Sequence, residues 1–398
     1  MKPHNFPSGS KNVTAINNVD IVTEETIIQS GSIVLEQGRI AEIKTQNSNG
    51  DRNIDGRGCM LLPGFIDIHG DSLENAIAPR PAAPFPLNYI LPAFDAELTA
   101  HGITTMYYCV AMADLGEKLT KPLRRTNQVL DIVQAVNNFK PQARVRTNIH
   151  LRYEILDIGS LPAIRDIVAE KKVDMLSIMD HTPGYGVFKD IEAYRDYRKR
   201  SGGSLEDADE DINERFRLRE NVDMQAVETL IDLCHEQKIV TASHDDHTRE
   251  KVLQAKKLDI TIAEFPVNED AAEAAKDLGM HTVFGAANLV RDQSHAGNVL
   301  ASDMIRKGLC DIICSDYSPM AMLQGLFKSQ KQSELSFPEI TSLFSLHPAR
   351  ALGIDHEFGS IEPGKVADVI LVENSNSVPR LAATFIAGKP VFISSDVR

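Results

Sequence analysis

The chain is poor in the features that would take it out of the ordinary soluble class. Across 398 residues no apolar stretch approaches the roughly 20 residues that span a bilayer. The opening MKPHNFPSGSKNV has no apolar core of a secretion signal. Cysteine is scarce: Cys59, Cys109, Cys234, Cys310 and Cys314 are odd in number and scattered, and they read as reduced core residues. Cys310 and Cys314 lack a second pair that would complete a structural zinc cluster. Positive charge is in the minority, with 42 Lys and Arg against 56 Asp and Glu and a formal net charge of −14. That balance disfavours non-specific binding to nucleic acid or membrane, although a few arginines and metal ions would still admit a small anionic substrate. Cytoplasm is the expected compartment, and self-association is left open.

A composition of 42% hydrophobic and 25% charged residues is that of a globular enzyme-sized protein with a deep core. Residues 1–60 show short β-branched runs broken at Ser30-Gly31 and Gln37-Gly38. Residues 356–398 show the same texture, with a turn at Gly388-Lys389. Both ends are expected to build one small β-sandwich, which requires the intervening chain to return to its start. Between them, 61–355 alternates strand-like and helix-like segments. The expected strands are 61–69, 103–110, 143–154, 174–181, 239–244, 259–265, 281–286 and 311–316, with helices such as 223–237 and 268–280 between them. Eight such units predict a (β/α)8 TIM-like barrel. Residues 187–221 break the repeat with dense charge of both signs and Ser201-Gly202-Gly203. This insertion reads as a solvated helical hairpin, with a flap over the barrel mouth as the alternative.

Reactive groups of such barrels collect at the C-terminal strand ends. In PGFIDIHGDSLENAIAPRP the first strand ends in His69 and Asp71, expected side by side because residues i and i+2 of a strand share a face. Strand 3 ends in Glu154 and strand 4 in Asp180 and His181. Strand 5 ends in His244, Asp245 and Asp246, with His247 next, and strand 8 ends in Asp316. Imidazole and carboxylate at one rim suit Zn, Mn or Fe. Glu154 would bridge two ions roughly 3.5–4 Å apart. The expected ligands are His69, Asp71, Glu154, His181, His244 and Asp316, holding divalent metal ions, two in number. Such ions lower the pKa of water, and Asp316 is the best placed base to accept its proton.

This constellation resembles the amidohydrolase superfamily, as does the terminal signature Gly359, Ile361, Gly364, Ala367 and Asp368 after LHPARALGI. Within it, HGDSLENAIAPRP, SIMDHTPGYGVF, ASHDDHT and GAANLVRDQSHAGNVLASDMIRKGLCDIICSDYSP are similar to the diphosphatases of the carbon–phosphorus lyase pathway. The resemblance implies hydrolysis of α-D-ribose 1-methylphosphonate 5-triphosphate to the 5-phosphate with release of pyrophosphate. Arginine offers a planar fork that matches phosphate oxygens, so Arg80, Arg152 and Arg291 are candidate substrate-binding residues. His295 and Asn298 would donate to the leaving pyrophosphate. Cleavage of an amide or cyclic amide would use nearly the same ligands. The arginines and the SHAGN stretch favour a polyphosphate. A silent scaffold would have lost ligands, whereas every expected position holds a competent residue.

Overall fold

The computed structural model describes residues 13–80, 83–117, 119–186, 188, 190–200, 202–293, 298–373 and 378–394. Four strands open the chain: β1 (Val13–Val22), β2 (Ile27–Glu36), β3 (Arg39–Lys44) and β4 (Arg52–Pro63). Eight follow with helices between them: β5 (Phe65–Gly70), β6 (Ile103–Met112), β7 (Arg146–Glu154), β8 (Met175–Met179), β9 (Val240–His244), β10 (Ile262–Glu264), β11 (His281–Gly285) and β12 (Ile312–Cys314). Three close it: β13 (Val369–Glu373), β14 (Arg380–Ile386) and β15 (Lys389–Ile393).

The middle eight pair in sequence order, all parallel. A bridge between Gly70 and Asp316 joins the first to the last, so the sheet closes as the expected (β/α)8 barrel. Strand alternation explains its interior. Ile66, Ile68, Tyr107, Met175, Ala242, Ile262, Val283 and Ile312 form one buried cluster, while Phe65, Leu151 and Tyr153 belong to the cluster shared with the helices. Ala242 and Ile262 are followed two residues later by His244 and Glu264, so an apolar interior is capped by polar side chains on the same face.

The terminal strands form a single sheet in the order β15-β14-β13-β4-β1-β2-β3. It curls until the β2–β3 turn meets the far side, where Ile40 donates its N–H to Lys365 and Ala367 donates to Gly38. Ile16, Ile33, Leu61, Val369 and Phe385 are buried within the curl. Gln37 and Gly38 make the expected turn, both at positive φ. Ser30-Gly31 does not: β2 runs straight through it, with Ser30 at φ 51° and a register irregularity opposite. An added Cβ at Gly31 would lie 2.9 Å from the Lys44 carbonyl, so close strand packing, not a turn, explains that glycine.

Asp368 of the terminal signature ties sheet to barrel. It is buried, accepts from Arg146 Nη1 at 2.5 Å, and accepts the Ala387 N–H at 2.8 Å. Arg146 opens β7, at the end of the barrel away from the reactive rim, and stacks over Phe358 at 4.2 Å. Removing one partner strands a buried charge, which costs about 3 kcal/mol or more. Arg146→Ala should therefore lower the denaturant midpoint without changing the composition of the rim, as followed by chemical unfolding.

Candidate active site

Glu264 ends β10 and is fully buried. Its Oε1 faces His69 Nδ1 at 2.8 Å and its Oε2 faces His244 Nδ1 at 3.3 Å. The two rings lie nearly parallel, 5.4 Å apart, with both Nδ1 atoms tied to this carboxylate and the Nε2 atoms facing other rim groups, Asp71 for His69 and Asp245 for His244. Burial alone would neutralise Glu264, but the His69 and His150 rings and its hydrogen bonds hold it well below the usual carboxylate range. Burial opposes the charged ring of His69, but Cys109, Glu264 and Asp71 around it hold it well above the usual imidazole value. Glu154 plays the same part for His181, with Oε2 at 2.8 Å from Nδ1. Orientation of an imidazole through its second nitrogen is a common support for metal ligation.

The Nε2 atoms of His181 and His244 both face Asp245. Its Oδ2 lies 3.6 Å from His181 Nε2 and 3.4 Å from His244 Nε2. Against the effect of burial, these two rings hold Asp245 low, and its carboxylate with Glu154 raises His181 to about 9. The ligand atoms of His181, His244 and Asp245 all lie within 4.8 Å of one another, as do those of His69, His244 and Glu264. Mixed imidazole and carboxylate donors fit a divalent transition metal. Asp245, Phe265 and Asp316, next to or two residues past the ends of their strands, all take positive φ of 57°, 53° and 55°. Such backbone is costly for non-glycine residues and turns these side chains out of the strand pleat.

Arg152 sits inside the rim, donating from Nη1 to both oxygens of Asp71 at 2.8 and 2.6 Å. Its Nη2 faces His244 Nε2 at 2.8 Å. The His244 Nε2 lone pair is thus offered to a cation, the chemistry a metal would use. Burial opposes ionisation of Asp71, yet Arg152 holds it well below the usual range. Asp316 has no such ion pair among the described residues: burial and the nearby Asp71 carboxylate push it up to about 7. It is fixed by barrel closure, its N–H bonding the His69 carbonyl at 3.0 Å and its carbonyl accepting from Asp71 N–H at 2.7 Å.

A cavity of about 560 Å³ opens above these groups, and His69, Asp71, Glu154, His181, His244 and Asp316 all line it. Besides Arg152 at the rim, its walls carry Lys121, Arg124, Arg198, Arg215 and Arg291. Several expectations change in detail. His69 and Asp71 are 3.9 Å apart, but not by strand pleat: β5 ends at Gly70, and Asp71 is the αR residue capping helix Ser72–Ile77. Glu154, expected between two ions, lines the cavity with its Oε2 at 2.8 Å from His181 Nδ1. Arg152 has both Nη atoms engaged within the rim, so it orders carboxylates before it meets any phosphate. Arg80 is exposed and is not among the lining residues. Arg291 and Asn298 do line the cavity, Arg291 donating to Tyr317 Oη at 2.9 Å, whereas His295 lies outside the described residues. Glu264 was missed because a lone glutamate in DITIAEF looks like an outward-facing residue; its i+2 relation to Ile262 was the available signal.

Residues 218–391 match the family model described as Amidohydrolase family. The α-D-ribose 1-methylphosphonate 5-triphosphate diphosphatase of Escherichia coli K12 is 34% identical over 95% of this chain and 100% of its own length. The chain belongs to the amidohydrolase family. The imidazolonepropionase of Picrophilus torridus is 23% identical over 91% of both chains. Among solved structures, N-acetyl-D-glucosamine-6-phosphate deacetylase of Mycobacterium smegmatis shares the fold, with TM-score 0.65 and 15% identity over 97% of this chain and 100% of that one.

Two predictions follow from the buried network. Glu264→Gln should leave both Nδ1 atoms poorly held and lower bound divalent metal at least about tenfold, measured by elemental analysis after dialysis against limiting metal. Burial also holds His150 down to about 4, against 6.5 ordinarily. The folded protein therefore binds this proton more weakly than the unfolded chain. The stability this contributes is complete above pH 6.5 and is lost as pH falls toward 4. In that window His150→Gln should flatten the pH dependence of unfolding free energy by up to roughly 1.4 kcal/mol per pH unit.

Proposed function

We propose that the protein is a divalent-metal-dependent diphosphatase that hydrolyses α-D-ribose 1-methylphosphonate 5-triphosphate to the 5-phosphate and pyrophosphate. The observation that carries this reading is one cavity with a floor of imidazoles and carboxylates and a wall of five cationic side chains, Lys121, Arg124, Arg198, Arg215 and Arg291. The full-length likeness to the Escherichia coli diphosphatase supports the same substrate. An amide needs no such concentration of positive charge, and this wall stands on a chain whose formal net charge is −14.

His181, His244 and Asp245 would hold one divalent cation, with His69, Asp71 and Asp316 beside them for a second, of zinc, manganese or iron type. When bound, such ions polarise a phosphoryl oxygen and lower the pKa of water. Asp316 accepts the proton of the attacking water at its carboxylate as the anhydride bond between the α and β phosphoryl groups breaks. Arg152 keeps Asp71 ionised, which preserves the negative floor on which the cations depend. Arg124, braced by Glu74 at 2.9 Å, and Arg291 face the phosphate oxygens from the wall. Charge-assisted bonds of this kind hold the departing pyrophosphate as its charge develops.

Incubation of metal-loaded protein with ribose 5-triphosphates, nucleoside triphosphates and N-acyl compounds tests the reading. Pyrophosphate should appear from triphosphates, and hydrolysis confined to N-acyl compounds would overturn it. Asp316→Asn should lower kcat by roughly 10²–10⁴-fold. With Asp316 pushed to about 7, its basic form grows as pH rises, and a bound cation moves that range downward. The acid limb of kcat/KM should therefore lie at or below pH 7 and vanish in Asp316→Asn.

A further inference from the structure

The charged insertion forms two helices, Ile191–Arg200 and Leu205–Arg219, the second opened by a capping box between Ser204 and Asp207. Residues four apart on a helix share a face. On the first helix that face carries Tyr194 and Arg198, and on the second Asp211, Arg215 and Arg219. The two faces meet: Tyr194 Oη donates to Asp211 at 3.3 Å, Arg198 Nη2 pairs with the same carboxylate at 3.0 Å, and Arg215 hydrogen-bonds Tyr194. Arg219 anchors the hairpin to the rim by pairing with Asp180 and lying 3.8 Å over the Tyr185 ring. Asp180 immediately precedes the rim residue His181, so the anchor is attached to the site itself.

Arg198, Arg215, Tyr194 and Tyr197 consequently line the cavity above the rim. The Nε atoms of Arg198 and Arg215 are buried and have no hydrogen-bond partner among the described residues. A purely solvated hairpin would direct such groups to water. Here two guanidinium groups are held toward a cavity whose floor is already supplied with carboxylates. Resting on the diphosphatase reading, we propose that the inserted hairpin forms the subsite for the terminal phosphoryl groups of the substrate, with Arg198 and Arg215 as its anion-binding residues. These residues decide chain length: a triphosphate reaches them, and a monophosphate held at the floor does not.

Binding of inorganic tripolyphosphate to the full-length protein, measured by calorimetry, tests this directly. Loss of one charged contact of this kind should weaken binding roughly 10- to 100-fold in Arg215→Gln, with Arg215→Lys intermediate. Arg217→Gln, two residues on and paired outward with Glu214, should bind as wild type. Orthophosphate binding should be little changed in any of them. With the triphosphate ester, Arg215→Gln and Arg198→Gln should raise KM far more than they lower kcat. In the wild type, tripolyphosphate should shield Arg198 and Arg215 from phenylglyoxal, read by mass spectrometry, which keeps the test open if a variant fails to fold. Unchanged tripolyphosphate binding and unchanged KM in both glutamine variants, or labelling of both arginines unaffected by tripolyphosphate, would overturn the subsite while leaving a diphosphatase intact. Absence of triphosphate hydrolysis in the wild type, with tripolyphosphate binding still dependent on Arg215, would instead sink the diphosphatase reading and keep the subsite.

Discussion

One buried carboxylate sets the geometry of the rim. Glu264 holds two imidazoles by their Nδ1 atoms, which turns His69 Nε2 to Asp71 and His244 Nε2 to Arg152 and Asp245. An unpaired carboxylate there would cost several kcal/mol, so its burial is tolerable only while both rings remain in place. The dependence is mutual. His69 leaves β5 next to the barrel-closing bridge and His244 ends β9, so a single residue on β10 couples ring positions across three strands.

Around this clamp the charges are layered. Below lie Ile66, Ile68, Ala242 and Ile262, which exclude water. At the rim lie Asp71, Asp245, Glu154 and Asp316, and only part of their charge is met by Arg152 and the imidazoles. The unmet part is visible in Asp316, pushed up to about 7 by burial and the Asp71 carboxylate. A site of this kind gains from a multivalent cation, which relieves repulsion among carboxylates more effectively than a further single charge.

The barrel was legible because its strands are short apolar runs, each ending where the polar residues of the rim begin. All eight expected strands are present, and β9 and β11 differ from expectation by a residue at most. The rim was legible where the reactive residue stood beyond the run, as His181, His244 and Asp316 do. Glu264 was not, because Phe265 follows it and a lone glutamate inside DITIAEF looks like an outward-facing residue of the apolar run. The cationic wall was the least legible. Arg124 follows β6 in the short 3-10 helix Pro122–Arg124, and Arg198 and Arg215 come from helices whose heavy charge reads as solvation until Arg219 is seen to anchor them. Arg80, closer in sequence to the rim than any of these, ends exposed.

The contrast between that wall and the rest of the chain decides what the protein can hold. A surface with an excess of acidic residues repels polyanions at long range, and screening at physiological salt confines that repulsion to about 8 Å. Inside the cavity the balance is inverted, with guanidinium groups above and carboxylates below. A neutral amide would be indifferent to this gradient. A polyphosphate ester is not: its charged chain is favoured at the wall, and the bond to be broken is brought toward the floor only if cations there reverse the field of the carboxylates. Metal binding and substrate orientation are on this account one electrostatic problem, and the Glu264 clamp, by fixing the imidazoles, solves the part that the backbone alone cannot.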